Sequence, residues 1–279
     1  MIVLAIFSAV TNALGVVVDK VNLSRLKMSL KPFIVVLFFG LFLFTAIVEP
    51  YLGGVSYWEA LQPYYFLMFI GMLIMAIIWN VFYYQGIQKE QIQEFELIIM
   101  ATPLATITLA AIFFSDERQL HHLIAAVIAA LAILIAHLRK DHLHFSKASL
   151  GLIVAVLFMA AETLFQKVLL NIYQPASLYL VRTFIIFLIF LLLYRPSLKN
   201  INSKQYLLTF LSALFGAAYM ISKFYGFQNL GIVETTLILT LAPILVYFIS
   251  AYYLKENLKK RTLLAAAVIL ASIIYSQVG

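Results

Sequence analysis

Apolar runs of about 17–22 residues recur along the whole chain, and each is long enough to cross a hydrocarbon core of ~30 Å as a helix. None shows the ~10-residue alternation of polar and apolar positions that marks a membrane β-barrel. In lipid every backbone polar group must be satisfied internally, and open-ended spans achieve this only as helices. Of the 279 residues, 64% are apolar and 11% charged. A soluble domain uses about 25% charged residues to cover its surface, so this surface is expected to face lipid. The expected fold class is an all-α polytopic membrane protein.

The expected spans are residues 2–18, 32–49, 64–85, 94–114, 121–138, 150–170, 176–194, 206–227, 234–254 and 262–278. The run from Ile2 to Val18 has no basic segment before it and ends in Asp19-Lys20 without a cleavage pattern, so it reads as a first span rather than a secretion signal. The polar stretch Arg139–Ser149 splits the chain. A first five-helix repeat is expected over 1–138, a connecting loop over 139–149 and a second repeat over 150–279.

The repeat rests on register. Gly86, Glu94 and Pro103 recur 140 residues on as Gly226, Glu234 and Pro243, and Trp79 and Tyr83 fall opposite Tyr219 and Lys223. Lys20-Val21 stands opposite Lys167-Val168. A repeat with an odd number of crossings must have inverted topology, giving ten transmembrane helices as two inverted five-helix repeats, an arrangement common among transporters. A lysine closes the first helix of each half, a proline lies in the fourth, a glutamate follows it (Glu117, Glu256), and the fifth is rich in alanine. In this order the features resemble the drug/metabolite transporter superfamily, in its EamA-type branch, over essentially the whole chain. The resemblance implies a secondary transporter with a central cavity between the halves. Its substrates would be amino acids and other small metabolites, nucleotide sugars, sugar phosphates or lipid-linked carriers.

The net charge of +7 lies in short loops, which argues for membrane topology rather than nucleic-acid binding. Every loop lysine and arginine except Arg118 follows an odd-numbered span. The positive-inside rule then puts both termini outside the cytoplasm, whereas the resemblance implies both termini inside; the size of the charge asymmetry favours the extracytoplasmic placement. A bacterial or archaeal plasma membrane is the expected setting.

Charges inside spans are the candidate functional groups, because each costs ~2.5–3.5 kcal/mol or more at a helix centre unless it meets a cavity or a partner. Glu162 lies near mid-span with Gln166 one turn on; it could bind a cation, cycle a proton, or pair structurally with Arg182 or Lys223. Lys223 and Arg182 could hold a carboxylate or phosphate. Tyr219 shares a face with Lys223, and Trp79, Asn80 and Tyr83 form the matching stripe, which suits a cavity wall or an interfacial aromatic belt. Asn12 suits cavity lining or an interhelical hydrogen bond. Pro103 and Pro243 are expected to kink helix interiors and are hinge candidates. Glu94 and Glu234 at helix starts suit the helix dipole. The five histidines read as loop residues; no metal, cofactor, phosphate loop or nucleophile motif is expected, and the protein is not expected to be an enzyme. The partners implied are a small-molecule substrate, the bilayer and a coupling proton. The leading expectation is alternating-access transport of a small, amino-acid-like metabolite. Its alternatives are a carrier of lipid-linked or nucleotide-linked sugars or sugar phosphates and, in another class, a membrane enzyme or scaffold.

Overall fold

The computed structural model describes residues 1–89, 95, 98–99, 101–137, 147–199, 201–254 and 260–278. Glu94, Glu256, His142 and His144 lie outside them. The helices are α1 (Ile2–Lys20, continued by a π-turn over Val21–Arg25), α2 (Leu30–Leu52), the short α3 (Tyr57–Ala60), α4 (Pro63–Lys89), α5 (Thr102–Phe113) and α6 (Leu120–His137). After the central loop come α7 (Lys147–Leu169), α8 (Pro175–Tyr194), α9 (Ser203–Asn229), α10 (Ile232–Leu239), α11 (Leu241–Leu254) and α12 (Lys260–Val278). Six of the described helical segments are long and apolar enough to cross a membrane: Ile2–Arg25, Leu30–Leu52, Pro63–Lys89, Ser149–Leu169, Pro175–Tyr194 and Ser203–Asn229. Shorter apolar helices lie over Thr102–Phe113, Leu120–Ala132 and Ile232–Val246. Their starts follow local chemistry. Pro175 opens α8, where its missing N–H costs nothing. A reciprocal capping box opens α9: the Asn202 side chain accepts from the Gln205 N–H at 2.8 Å and the Gln205 side chain accepts from the Asn202 N–H at 3.0 Å.

Among the described residues, the most extensive helix packing joins the two halves of the chain. α1 lies against α9, α4 against α7, α2 against α8, and α6 against α12. The α1–α9 pair runs antiparallel: Ser8 donates to the Tyr219 carbonyl at 2.9 Å, Ser212 donates to Asp19, and Asn22 donates to Thr209 at 2.7 Å. The α4–α7 pair is antiparallel too, for Gly71 meets Phe165 while Gly86 meets Leu152. A side chain at Gly86 would run into Leu152, and one at Gly226 into Thr235. These two glycines thus set close helix approaches. The α6–α12 contact uses small residues, with Ala125, Ala126, Ala129 and Ala130 fully buried.

The prolines correct the expectation of kinks in helix interiors. Pro103 lies in the first turn of α5, and Pro243 follows the turn at Thr240 that separates α10 from α11. Both stand where a helix restarts, so the N–H they lack would have had no partner within the helix.

A clasp between halves closes the end of the bundle where α7 stops. Lys167 donates to Asp116 at 2.6 Å and to Glu117 at 2.5 Å. The Glu117 carboxylate also accepts from the N–H groups of Ile232 at 2.7 Å and Val233 at 2.9 Å, capping α10. The Lys167 ammonium holds the exposed Asp116 carboxyl below the usual carboxylate range. Beside the clasp, the α2–α3 and α7–α8 connections are tied by Gln174 donating to the Gly54 carbonyl at 2.7 Å and Ser56 donating to Ile172 at 2.9 Å. Glu117→Ala would strip two helix N–H groups of their acceptor and leave the half-buried Lys167 with only the exposed Asp116. The expected cost is about 3–5 kcal/mol, visible as a lower melting temperature in detergent, with Asp116→Ala far milder because Asp116 is exposed.

Candidate functional site

A cavity of about 240 Å³ lies between the halves. It is walled by α1, α2, α4, α5 and residues 95 and 99 from the first half, and by α7 to α11 from the second. Its volume lies just below the ~300–1,000 Å³ usual for small-molecule sites.

Of the expected site residues, Asn12, Trp79, Asn80, Tyr83, Arg182, Tyr219 and Lys223 line this cavity, as do Pro103 and Pro243. The aromatic stripes on α4 and α9 thus face the cavity rather than a lipid belt. Trp79 and Tyr83 meet edge to face at 5.8 Å between ring centroids, and Tyr83 meets Phe95 in the same way at 5.2 Å. Asn80 is buried and donates to its own helix at the Ala76 carbonyl, 2.7 Å away.

Glu162 and Gln166 stand behind the wall. Glu162 accepts from the Arg182 Nε at 2.7 Å through one oxygen and from the Trp79 indole N–H at 2.5 Å through the other. Both members of the ion pair are almost fully buried, with side-chain exposures of 2% for Arg182 and 3% for Glu162. One carboxylate therefore links α7, α8 and α4. Gln166 is buried, and its Oε1 has no partner among the described residues.

Glu162 fixes Arg182 at Nε. The Arg182 Nη2 is buried and has no hydrogen-bond partner among the described residues. The Lys223 ammonium lies 4.9 Å from the Phe227 ring centroid and 5.9 Å from that of Tyr219, with no carboxylate at ion-pair distance among the described residues. Two cationic side chains thus line the space, Arg182 almost fully buried and Lys223 half-buried, and a buried charge is stable only when something answers it.

Two cavity residues escaped the sequence reading. Asp19 was placed beyond the first span, yet it is buried, lines the cavity and accepts from Ser212. Thr102 lines it with a buried hydroxyl that lacks a partner among the described residues. Glu234 sits buried in the first turn of α10, near His122 at 4.0 Å, and is not among the lining residues. The match of Asp19 to Gln166, which follows from aligning Lys20 with Lys167, was the available signal.

The helices and their shared cavity define an integral, multi-pass helical membrane protein. Within that class, residues 146–276 match the EamA-like transporter family, part of the drug/metabolite transporter superfamily. A comparison with curated proteins finds no match. One solved structure, described only as a crystal structure of a protein, is similar with a TM-score of 0.72 over 99% of this chain and 94% of that one, at 14% identity. At that identity the likeness speaks for the fold.

Proposed function

We propose that the protein is a secondary transporter that moves a small, amino-acid-like metabolite by alternating access through the central cavity. The observation that carries this reading is the pair of uncommitted donors, Arg182 Nη2 and the Lys223 ammonium, at a cavity walled by both halves. A substrate carboxylate would meet these donors. The rest of the solute would lie against Trp79, Tyr83 and Tyr219, whose ring faces also suit an ammonium group.

Ten spans in two inverted repeats, over 1–138 and 150–279, fit the cross-packing. Exchanging each helix for its counterpart turns the α1–α9 pair into the α7–α4 pair, and both pairs run antiparallel. The helix restarts at Pro103 and Pro243 would serve as hinges at the cavity wall. The loop charges support extracytoplasmic termini. Sugar phosphates would use the same two cations, but a cavity of about 240 Å³ favours a small solute over a nucleotide-linked or lipid-linked sugar. An enzyme or a scaffold gives the two free donors no task.

Counterflow into proteoliposomes tests this, with labelled amino acids, sugar phosphates and nucleotide sugars compared in parallel. Saturable uptake of an amino acid is expected. Folded protein that yields no saturable flux of any of the three would overturn the transport reading, and flux of a sugar phosphate or nucleotide sugar in place of an amino acid would overturn the substrate class.

A further inference from the structure

Among the described residues, Asp19 is the acidic side chain that lines the cavity, and it is 6% exposed. Its carboxylate accepts one hydrogen bond, from the Ser212 hydroxyl on α9. The groups around it offer little else. On α4 the buried phenol of Tyr84 is within electrostatic reach. On α2 the cavity-lining residues are Leu37, Phe38 and Leu41, and on α10 and α11 they are Thr236, Leu239, Ala242, Pro243 and Val246. Glu234, also on α10, lies near His122 and does not line the cavity. Lys20, next in sequence, has an interaction of its own. The nearest lining cations are Arg182, held by Glu162, and Lys223, which stands eleven residues beyond Ser212 on α9, or ~16 Å along a helix. Glu162 differs in that both its oxygens are already bonded to protein donors.

A carboxylate buried with one hydroxyl donor and no paired cation is costly to keep charged, and its place on the cavity wall gives water a route to it. We propose that Asp19 is a proton-binding site of the cavity, loaded when an anionic group sits at Lys223 and Arg182 and discharged to water when that group leaves. This rests on the transport reading above. The charge count supplies the logic. Arg182 and Glu162 cancel, so the cavity carries Lys223 against Asp19. With the proton on, the cavity is net positive and takes an anion; with the proton off, it is neutral and the anion leaves more readily. Because like charges repel, a proton on Asp19 and an anion at the two cations favour each other. Substrate and proton would then move together.

Dicyclohexylcarbodiimide reacts with protonated carboxyl groups in apolar surroundings and requires no substrate. Treated in detergent, the wild-type protein should carry an adduct on the peptide containing Asp19. The adduct should be lost in Asp19→Asn, retained in Ser212→Ala, and diminished when labelling is carried out at alkaline pH. A label on Glu162 in place of Asp19 overturns the proposal, as does an Asp19 that stays unmodified from acid to alkaline pH in folded protein. In proteoliposomes, the rise in amino-acid uptake driven by an imposed pH gradient should vanish in Asp19→Asn, with melting temperature confirming the fold. Persistence of that rise also overturns the proposal. Absence of all flux in the wild type would count against the transport reading and leave the labelling result standing.

Discussion

Arg182→Met is expected to lower stability by about 3–5 kcal/mol, the usual cost of breaking one side of a buried ion pair. The loss would leave Glu162 in the bundle interior with only the Trp79 indole to answer it. An unpaired carboxylate there either stays charged at high cost or takes up a proton, and both routes weaken the link among α4, α7 and α8. The double change Arg182→Met with Glu162→Gln should recover most of the loss. Glutamine keeps an acceptor for the indole N–H, and paired removal of two buried charges is often neutral. Melting curves of the four proteins in one detergent give the cycle directly. Transport should follow a different pattern. The double variant should remain impaired, because its stability no longer depends on the pair while the Nη2 donor at the cavity is gone. A single Arg182→Met protein as stable as wild type would show that the pair does not hold the helices. A double variant with full flux would remove Arg182 from substrate binding.

Lys223→Met should behave in the opposite way. The ammonium has aromatic neighbours but no ion-pair partner among the described residues, so its loss leaves no buried anion behind, and the melting temperature should be unchanged or higher. A charge-assisted hydrogen bond to substrate is worth ~1.5–3 kcal/mol, so half-saturation for a carboxylate solute should rise roughly 10- to 150-fold. Lys223→Arg should retain much of the affinity, since the positive charge remains. Half-saturation unchanged in Lys223→Met would mean that the carboxylate is held elsewhere.

Much of this architecture could be read from hydropathy and register. The glycines and prolines spaced 140 residues apart and the stripes at Trp79–Tyr83 and Tyr219–Lys223 are features of single helices, and such spacing survives in a linear sequence. What could not be read depends on a second helix. Glu162 is joined to Trp79, 83 residues away, and no local pattern selects Trp79 as its partner or Arg182 over Lys223. Asp19 and Asn22 fall beyond the expected first span, which ends at Val18. The helix in fact continues through a π-turn, and α9 supplies Ser212 and Thr209 as partners. The prolines were legible as special positions, but a proline marks a restart as readily as a bend, and only the backbone distinguishes the two.

The cross-packing bears on how the protein could be built from less. Each half turns the faces that make its most extensive helix contacts toward the other half, with α1 and α4 of the first seated on α9 and α7 of the second. Synthesised separately, either half would carry those faces uncovered and would depend on finding its counterpart in the bilayer. Co-expression of the two fragments should therefore restore what neither accumulates by itself, much as two subunits of an obligate heterodimer rescue one another. On this view the connecting loop acts chiefly as a tether that raises the local concentration of two mutually dependent pieces.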